Sequence, residues 1–362
     1  MGMQNALLSV FPPPAYVATP SAGVDISGGS IKWAIFSGYG SHTKLGTYGE
    51  MPLPQGVVTS GDIEQEDTVV EIIRTLRMKH RIRHVNACLP EKKAYLYRVL
   101  VPTGTTNLRA GVEFDFETHV PLPPAETIFD FEPIQRTDAG TVVAVTAYAK
   151  RIVNTYNAVF ERAGVMLHSL EVESQALART ALGPTDRDKV VMMIDFGKHT
   201  TRIAVAEYGV VAFTATLDVG GDALTAAVMK HFNVSEPEAE QIKNEKGFLM
   251  GAENKSLVEA LVITVSVVKD EIVKHFSFWN NPTADELPRK PIEKIVVCGG
   301  NANLKAFPEY LEGALGVPVA VADVWVNAFS LDEYIPSMQF SDSLEYATAI
   351  GLALKGRTKS IW

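Results

Sequence analysis

Apolar and polar positions along this chain change period several times, and each change marks an element. Val24-Asp25-Ile26 and Ile31 to Phe36 flank Ser27-Gly28-Gly29-Ser30, the pattern of a strand, a tight turn and a returning strand. Gly46 to Pro54 reads as a further strand and its exit. Between Thr68 and His80 the apolar residues at 69, 72, 73 and 76 keep the period of an amphipathic helix. His84 to Leu89 is again a strand.

From Lys92 to about Leu167 the texture differs. Tyr95 to Val101 reads as a strand. Asn107 to His119 reads as an acidic amphipathic helix ending at Pro121-Leu122-Pro123-Pro124. Ile128 to Ile134 and Thr141 to Tyr148 are two more strands. Arg151 to Ala163 puts Ile152, Val153, Tyr156, Val159 and Phe160 at helical spacing, and Gly164 stops it. This β-α-β-β-α run reads as an inserted small domain.

At Val190 the opening pattern returns. Val190 to Ile194 is a buried strand, Asp195-Phe196-Gly197 turns it, and Arg202 to Ala206 comes back. The repeat lies 170 residues on, from Asp25 to Asp195, too long a period for a solenoid and suited to two related lobes. Leu224 to Phe232 reads as a short helix. Ser235 and Glu238 form a capping box for a helix reaching about Lys246, with Gly247 at its exit. Lys255 to about Phe278 is a long amphipathic helix with Leu257, Leu261, Thr264, Val265, Val268, Ile272 and Phe276 on one face. Ile292 to Cys298 is a strand running into Gly299-Gly300, and Ser343 to Lys355 reads as a terminal helix.

The length of 362 residues calls for more than one core. A formal net charge of -9 disfavours non-specific nucleic-acid binding. The two cysteines, Cys88 and Cys298, lack the spacing of a zinc site or a disulfide framework and suit a reducing compartment. The absence of an apolar run of about 18 residues predicts no transmembrane helix. The first twenty residues carry no Lys or Arg, and Pro12-Pro13-Pro14 interrupts their short apolar run, so a flexible tail is expected rather than a signal.

Four features point to nucleotide chemistry. Asp25-Ile26-Ser27-Gly28-Gly29-Ser30-Ile31-Lys32 has small residues whose backbone N–H groups can face phosphate oxygens. An Asp at the strand end can hold Mg²⁺ through water, and a Lys beyond it can reach a phosphate. Asp195-Phe196-Gly197-Lys198-His199-Thr200-Thr201 repeats the arrangement, so the two loops can grip a triphosphate from opposite sides. Gly299-Gly300-Asn301-Ala302-Asn303 follows a buried strand and would let a flat base or ribose come close to backbone. Glu240 and Lys243 share a face of the capped helix.

Taken together these stretches resemble the actin-like ATPase superfamily, with its phosphate-1 loop, connecting helix, phosphate-2 loop and adenosine loop. Within it the chain is most similar to the PilM family of type IV pilus assembly, with FtsA as the nearest relation. The resemblance is carried by Arg98 to Pro102 with His119-Val120-Pro121-Leu122-Pro123, by Leu170 to Arg179, by Gly220-Gly221 with Leu224-Thr225 and Glu238 to Lys243, and by Tyr346 to Leu354. It spans about Gly23 to Arg357. It implies an α/β, actin-like (ribonuclease H-like) two-lobed ATPase fold with a small inserted domain in the first lobe. The divisions expected are a tail (1–22), a first-lobe core (23–91), the insert (92–169) and a connecting helix and linker (170–189). A second-lobe core (190–221), its subdomain (222–290) and the adenosine loop with the terminal helix (291–362) follow.

The same resemblance implies that Asp25, Ser27, Gly28, Gly29, Ser30 and Lys32, facing Gly197, Thr200 and Thr201, hold the phosphates of ATP. Asp25 and Asp195 would orient hydrated Mg²⁺. Gly220, Gly221, Glu240 and Lys243, with Gly299, Gly300, Asn301 and Asn303, would take ribose and base. Glu173 would polarise an attacking water as a general base. Ser27 stands where the family usually has Gly, and Lys198 and His199 replace small residues, so binding is the firmer expectation and hydrolysis, as a slow ATPase, is left open. The partner implied is the cytoplasmic N-terminal peptide of a PilN-like inner-membrane protein, which would keep the chain at the inner face of the cytoplasmic membrane without inserting into it. Tyr95, Tyr97 and Phe114 to Phe116 are candidates to line the peptide groove. Three other readings stay open: an FtsA-like filament with self-association, a sugar or acetate kinase, and a nucleotide-binding scaffold without turnover.

Overall fold

The structure, a computed structural model, describes residues 21–38, 42–249, 251, 254–284, 286–355 and 357. The expected tail before residue 21 and the chain end after residue 357 lie outside the described residues.

The first strand, β1 (Ala22–Ile26), is buried along its whole length and turns into β2 (Ser30–Ser37) and then β3 (Lys44–Pro52). A two-residue hairpin, β4 (Val58–Thr59) with β5 (Asp62–Ile63), leads to helix α1 (Glu66–His80). Strand β6 (His84–Leu89) follows, then β7 (Tyr95–Pro102), α2 (Leu108–His119), β8 (Thr127–Thr137), β9 (Gly140–Ala149), α3 (Lys150–Arg162) and β10 (Met166–Val172). The first five-stranded sheet has the order β10-β6-β1-β2-β3. Here β1 is antiparallel to β2 and parallel to β6.

Helix α4 (Glu173–Ala181) crosses to β11 (Val190–Phe196), β12 (Thr201–Glu207) and β13 (Val210–Leu217). After them come α5 (Gly221–Phe232), α6 (Glu236–Lys246), α7 (Lys255–Asn280), β14 (Lys294–Cys298), α8 (Phe307–Leu315) and β15 (Val319–Val321). The chain closes with α9 (Phe340–Ser343) and α10 (Ala347–Leu354). The second sheet runs β13-β12-β11-β14-β15, with β11 antiparallel to β12 and parallel to β14. The two sheets share one plan, an antiparallel three-strand meander extended by parallel strands, as the sequence repeat at Asp25 and Asp195 predicts.

Within the middle region, β7, β9 and β8 form a separate three-stranded sheet covered by α2 through Val99, Val101, Val112, Val143 and Val145. Helix α3 closes the β-α-β-β-α run but packs Ile152, Tyr156, Val159 and Phe160 into the first-lobe core beside Val69 and Ile73 of α1. The strand after it, β10, belongs to the first sheet.

The terminal helix expected from Ser343 to Lys355 is interrupted by a 3₁₀ turn at Leu344–Tyr346. The Leu344 carbonyl leaves the helical ladder because it accepts the Gly299 N–H at 3.2 Å. All eight residues of α10 are buried, as its all-round apolar sequence requires. It lies against β1, where a Cβ on Gly23 would stand 1.9 Å from the Ala349 carbonyl oxygen, and against α4.

Candidate functional site

Two hairpins set an acid opposite a base. Asp25 of β1 pairs across the ladder with Lys32 of β2, and Asp195 of β11 pairs with Arg202 of β12. Residues opposite each other in an antiparallel pair point to the same side. Each hairpin therefore delivers a carboxylate and a cation to one face. The turns themselves meet: His199 Nε2 lies 3.1 Å from where a Cβ on Gly29 would stand.

In the first turn the Ser27 N–H and hydroxyl both donate to the Ser30 carbonyl, each at 3.0 Å. Ser27 is not among the residues with positive φ, so a side chain there costs no left-handed strain. Gly28 is exposed. A Cβ there would meet only the Val58 carbonyl oxygen, at 3.6 Å. Lys32 does not stand free beside the loop. Its ammonium lies 3.8 Å from Glu50 and 3.6 Å from Glu345, over the Tyr346 ring.

The second turn is braced from behind. Gly221 and Asp222 N–H groups donate to the Gly197 and Lys198 carbonyls at 3.0 and 2.9 Å, and Asn301 Nδ2 donates to the Gly197 carbonyl at 2.9 Å. Gly299 has φ +85°, and a Cβ on it would come within 2.4 Å of Asp195 Oδ1, so only glycine fits this corner. Gly220 backs on the Lys198 carbonyl in the same way. These four residues, expected against ribose and base, are in contact with the second phosphate turn. Gly300 sits beside the Glu345 carboxylate, and Asn303 donates to the Ser341 carbonyl at 2.9 Å.

Lys243 is buried, unlike a solvated surface pair, and its ammonium donates to Glu240 and Thr225, both at 3.0 Å. Thr200 accepts the Gly197 N–H through its carbonyl at 3.0 Å. Thr201, expected to hold phosphate, is fully buried and donates its hydroxyl to the Val219 carbonyl at 2.7 Å. Strand alternation turns it away from the face that Arg202 shares with Asp195.

Arg202 is the residue that the sequence reading passed over. Its guanidinium, on a side chain only 18% exposed, pairs with Glu173 Oε2 at 2.8 Å and Asp195 Oδ2 at 3.2 Å. The Glu91 carboxylate accepts the Ser174 N–H at 3.0 Å and the Ser174 hydroxyl at 2.9 Å. The Cys88 thiol donates to Asp25 Oδ1 at 3.2 Å. Ligand atoms of Asp25, Cys88 and Glu173 all lie within 4.8 Å of one another. Burial raises the Glu173 carboxyl above the ordinary glutamate range against the pull of Arg202, and the carboxylates of Asp25, Glu91 and Asp195 add to the rise. Burial also raises Glu91 and, helped by Asp25, the Cys88 thiol.

The sequence profile of the family described as Type IV pilus assembly protein PilM matches residues 23–357. The chain belongs to the PilM family. Among solved structures, the PilM-PilN type IV pilus biogenesis complex superposes with a TM-score of 0.73 at 21% identity, covering 96% of this chain and 100% of that one. MreB5 of Spiroplasma citri bound to AMPPNP gives 0.55 at 12% identity over 94% and 97%. The cell division protein FtsA of Buchnera aphidicola is 21% identical over 335 residues, 85% of this chain and 70% of that protein. FtsA of Streptococcus pneumoniae is 26% identical over 183 residues, 47% of this chain, and the match spans only 40% of that protein. The fold is thus the actin-like, two-lobed α/β fold that the resemblance implies.

In this PilM-family chain the donor set does not favour direct ligation of a magnesium ion by Asp25 and Asp195, which leaves their expected role of orienting a hydrated ion through water. Mg²⁺ takes hard oxygen ligands in near-octahedral array. Asp25 Oδ1 accepts a thiol, the neighbouring third donor is a soft sulfur, and Asp195 Oδ2 is paired with a guanidinium. Glu173, expected as a general base, is tied to the same guanidinium, and its Oε2 also accepts the Glu91 N–H at 3.4 Å. Both contacts fall on Oε2 of Glu173.

Proposed function

We propose that this chain is an ATP-binding component of a type IV pilus, or related type II secretion, assembly platform that takes the N-terminal peptide of a PilN-like inner-membrane protein. The observation that supports it is the pair of facing glycine turns, each ending a buried strand, in a fold shared with the PilM of a PilM-PilN complex. Backbone N–H groups at Gly28, Gly29 and Ser30 on one side, and at Thr200 on the other, would hold the phosphates, while the Gly197 N–H closes the second turn on the Thr200 carbonyl. Lys32 would add its charge after leaving Glu50 and Glu345. Those partners are 41% and 49% exposed, so the exchange costs at most about 1 kcal/mol. Glu240, Lys243, Gly300 and Asn303 would line the nucleoside.

No described helix is long and apolar enough to cross a membrane, and the proposed place at the inner membrane comes through the partner. Of the insert's aromatic residues, Phe116 is core and Tyr97 stacks on His119 with ring centroids 4.2 Å apart. Phe114 on α2 is 94% exposed and is the one offered to an extended peptide.

Calorimetric titration of a synthetic peptide, the N-terminal segment of the cognate PilN-like protein, tests this reading. Binding is expected to change by about fivefold or more when ATP is added, the coupling of a two-state cleft. Phe114→Ala is expected to weaken it without moving the melting temperature. No binding with or without ATP would remove the partner from the account. The FtsA relatives favour a second reading, a filament built by self-association. Pelleting with ATP at rising protein concentration decides it.

A further inference from the structure

We propose that Arg202 is a built-in counter-ion occupying the place of a divalent cation between Glu173 and Asp195, so that the cleft takes nucleotide without metal ligation by the protein. The consequence for nucleotide rests on the function proposed above, while the place of Arg202 rests on its contacts with Glu173 and Asp195. The cleft floor gathers four acids: Asp25, Glu91, Glu173 and Asp195. Buried carboxylates need a positive charge or strong donors.

Here each acid has its donor from the chain itself. Asp25 has the Cys88 thiol, Glu91 has Ser174, and Glu173 and Asp195 share the Arg202 guanidinium. The guanidinium is planar and permanently charged, which suits it to bridge two carboxylates. Its Nε–H is buried and has no partner among the described residues. A divalent ion at Glu173 or Asp195 would face this fixed cation.

The test is a titration of Mn²⁺, as a paramagnetic probe, into the full chain without nucleotide, followed by electron paramagnetic resonance. The wild type is expected to bind Mn²⁺ no more tightly than millimolar. Arg202→Ser, which leaves Glu173 and Asp195 without their cation, is expected to bind at least tenfold more tightly. Should that variant fail to fold, Asp195→Asn in its place is expected to leave the weak Mn²⁺ affinity unchanged. Tight Mn²⁺ binding by the wild type that Asp195→Asn abolishes overturns the proposal. In a second arm, ATP affinity of the wild type is expected to stay within threefold between excess Mg²⁺ and excess EDTA. A tenfold loss in EDTA also overturns it. Absence of ATP binding in both buffers removes the nucleotide reading, while the Mn²⁺ titration still decides the role of Arg202.

Discussion

Glu171 shows at a single residue what a buried acid needs in this molecule. Burial alone would raise its carboxyl. Paired hydrogen bonds from Arg179 at 2.7 and 3.0 Å, and one from Lys355 at 2.6 Å, hold it below the ordinary glutamate range. A depressed carboxylate contributes stability that is present above its unfolded value and lost as pH falls through the folded one. Arg179→Met is therefore expected to cost about 1–3 kcal/mol near neutral pH, because the buried Glu171 carboxylate then keeps only Lys355. The gap from wild type should narrow as urea unfolding is repeated at acid pH, where the variant's Glu171 is neutral. A gap independent of pH would mean that packing, not charge, sets the cost. At the same scale, the sequence displays more of the cleft than its apolar pattern reveals. Asp25 and Lys32 are symmetric about Gly28-Gly29, and Asp195 and Arg202 about Lys198-His199. Counting outward from each turn pairs acid with base in both hairpins. Reading the return strand for its apolar content alone passed over Arg202.

Among the elements, α10 ties the lobes together. It meets β1 of the first sheet through Gly23, and meets α4 through Gly351, where a Cβ would come within 1.9 Å of the Ala176 carbonyl oxygen. Backbone cannot yield as a flexible side chain can, so Gly351→Val is expected to destabilise by at least about 2 kcal/mol. Thermal melting followed by circular dichroism checks it, and an unchanged melting temperature would refute the close crossing. Most elements follow from local pattern: the Ser235 capping box opens α6, and the apolar face of α7 is the buried one. Long-range contacts decide the rest. The break between α9 and α10 depends on the Gly299 N–H, some forty residues away, and the place of α3 depends on the partner its apolar face finds. Neither can be read from local periodicity.

At the scale of the whole molecule, two sheets of one plan bring their opening hairpins face to face, joined by α4 and α10 at the base of the cleft. The sequence repeat anticipates this arrangement. It does not show that Gly220, Gly221, Gly299 and Asn301 lean on the second turn, because that contact is tertiary. A cleft of this kind can report nucleotide to a distant partner only if nucleotide binds between the turns. The measurement that tests this most directly is calorimetric titration of ATP into the wild type and into Gly28→Asp. The new side chain has room, since a Cβ there meets only one oxygen at 3.6 Å, so the variant should melt as the wild type does. It adds a negative charge to the turn proposed to hold phosphate, and ATP affinity is expected to fall at least tenfold. Equal affinity in the two proteins, or no binding by the wild type, would contradict the account.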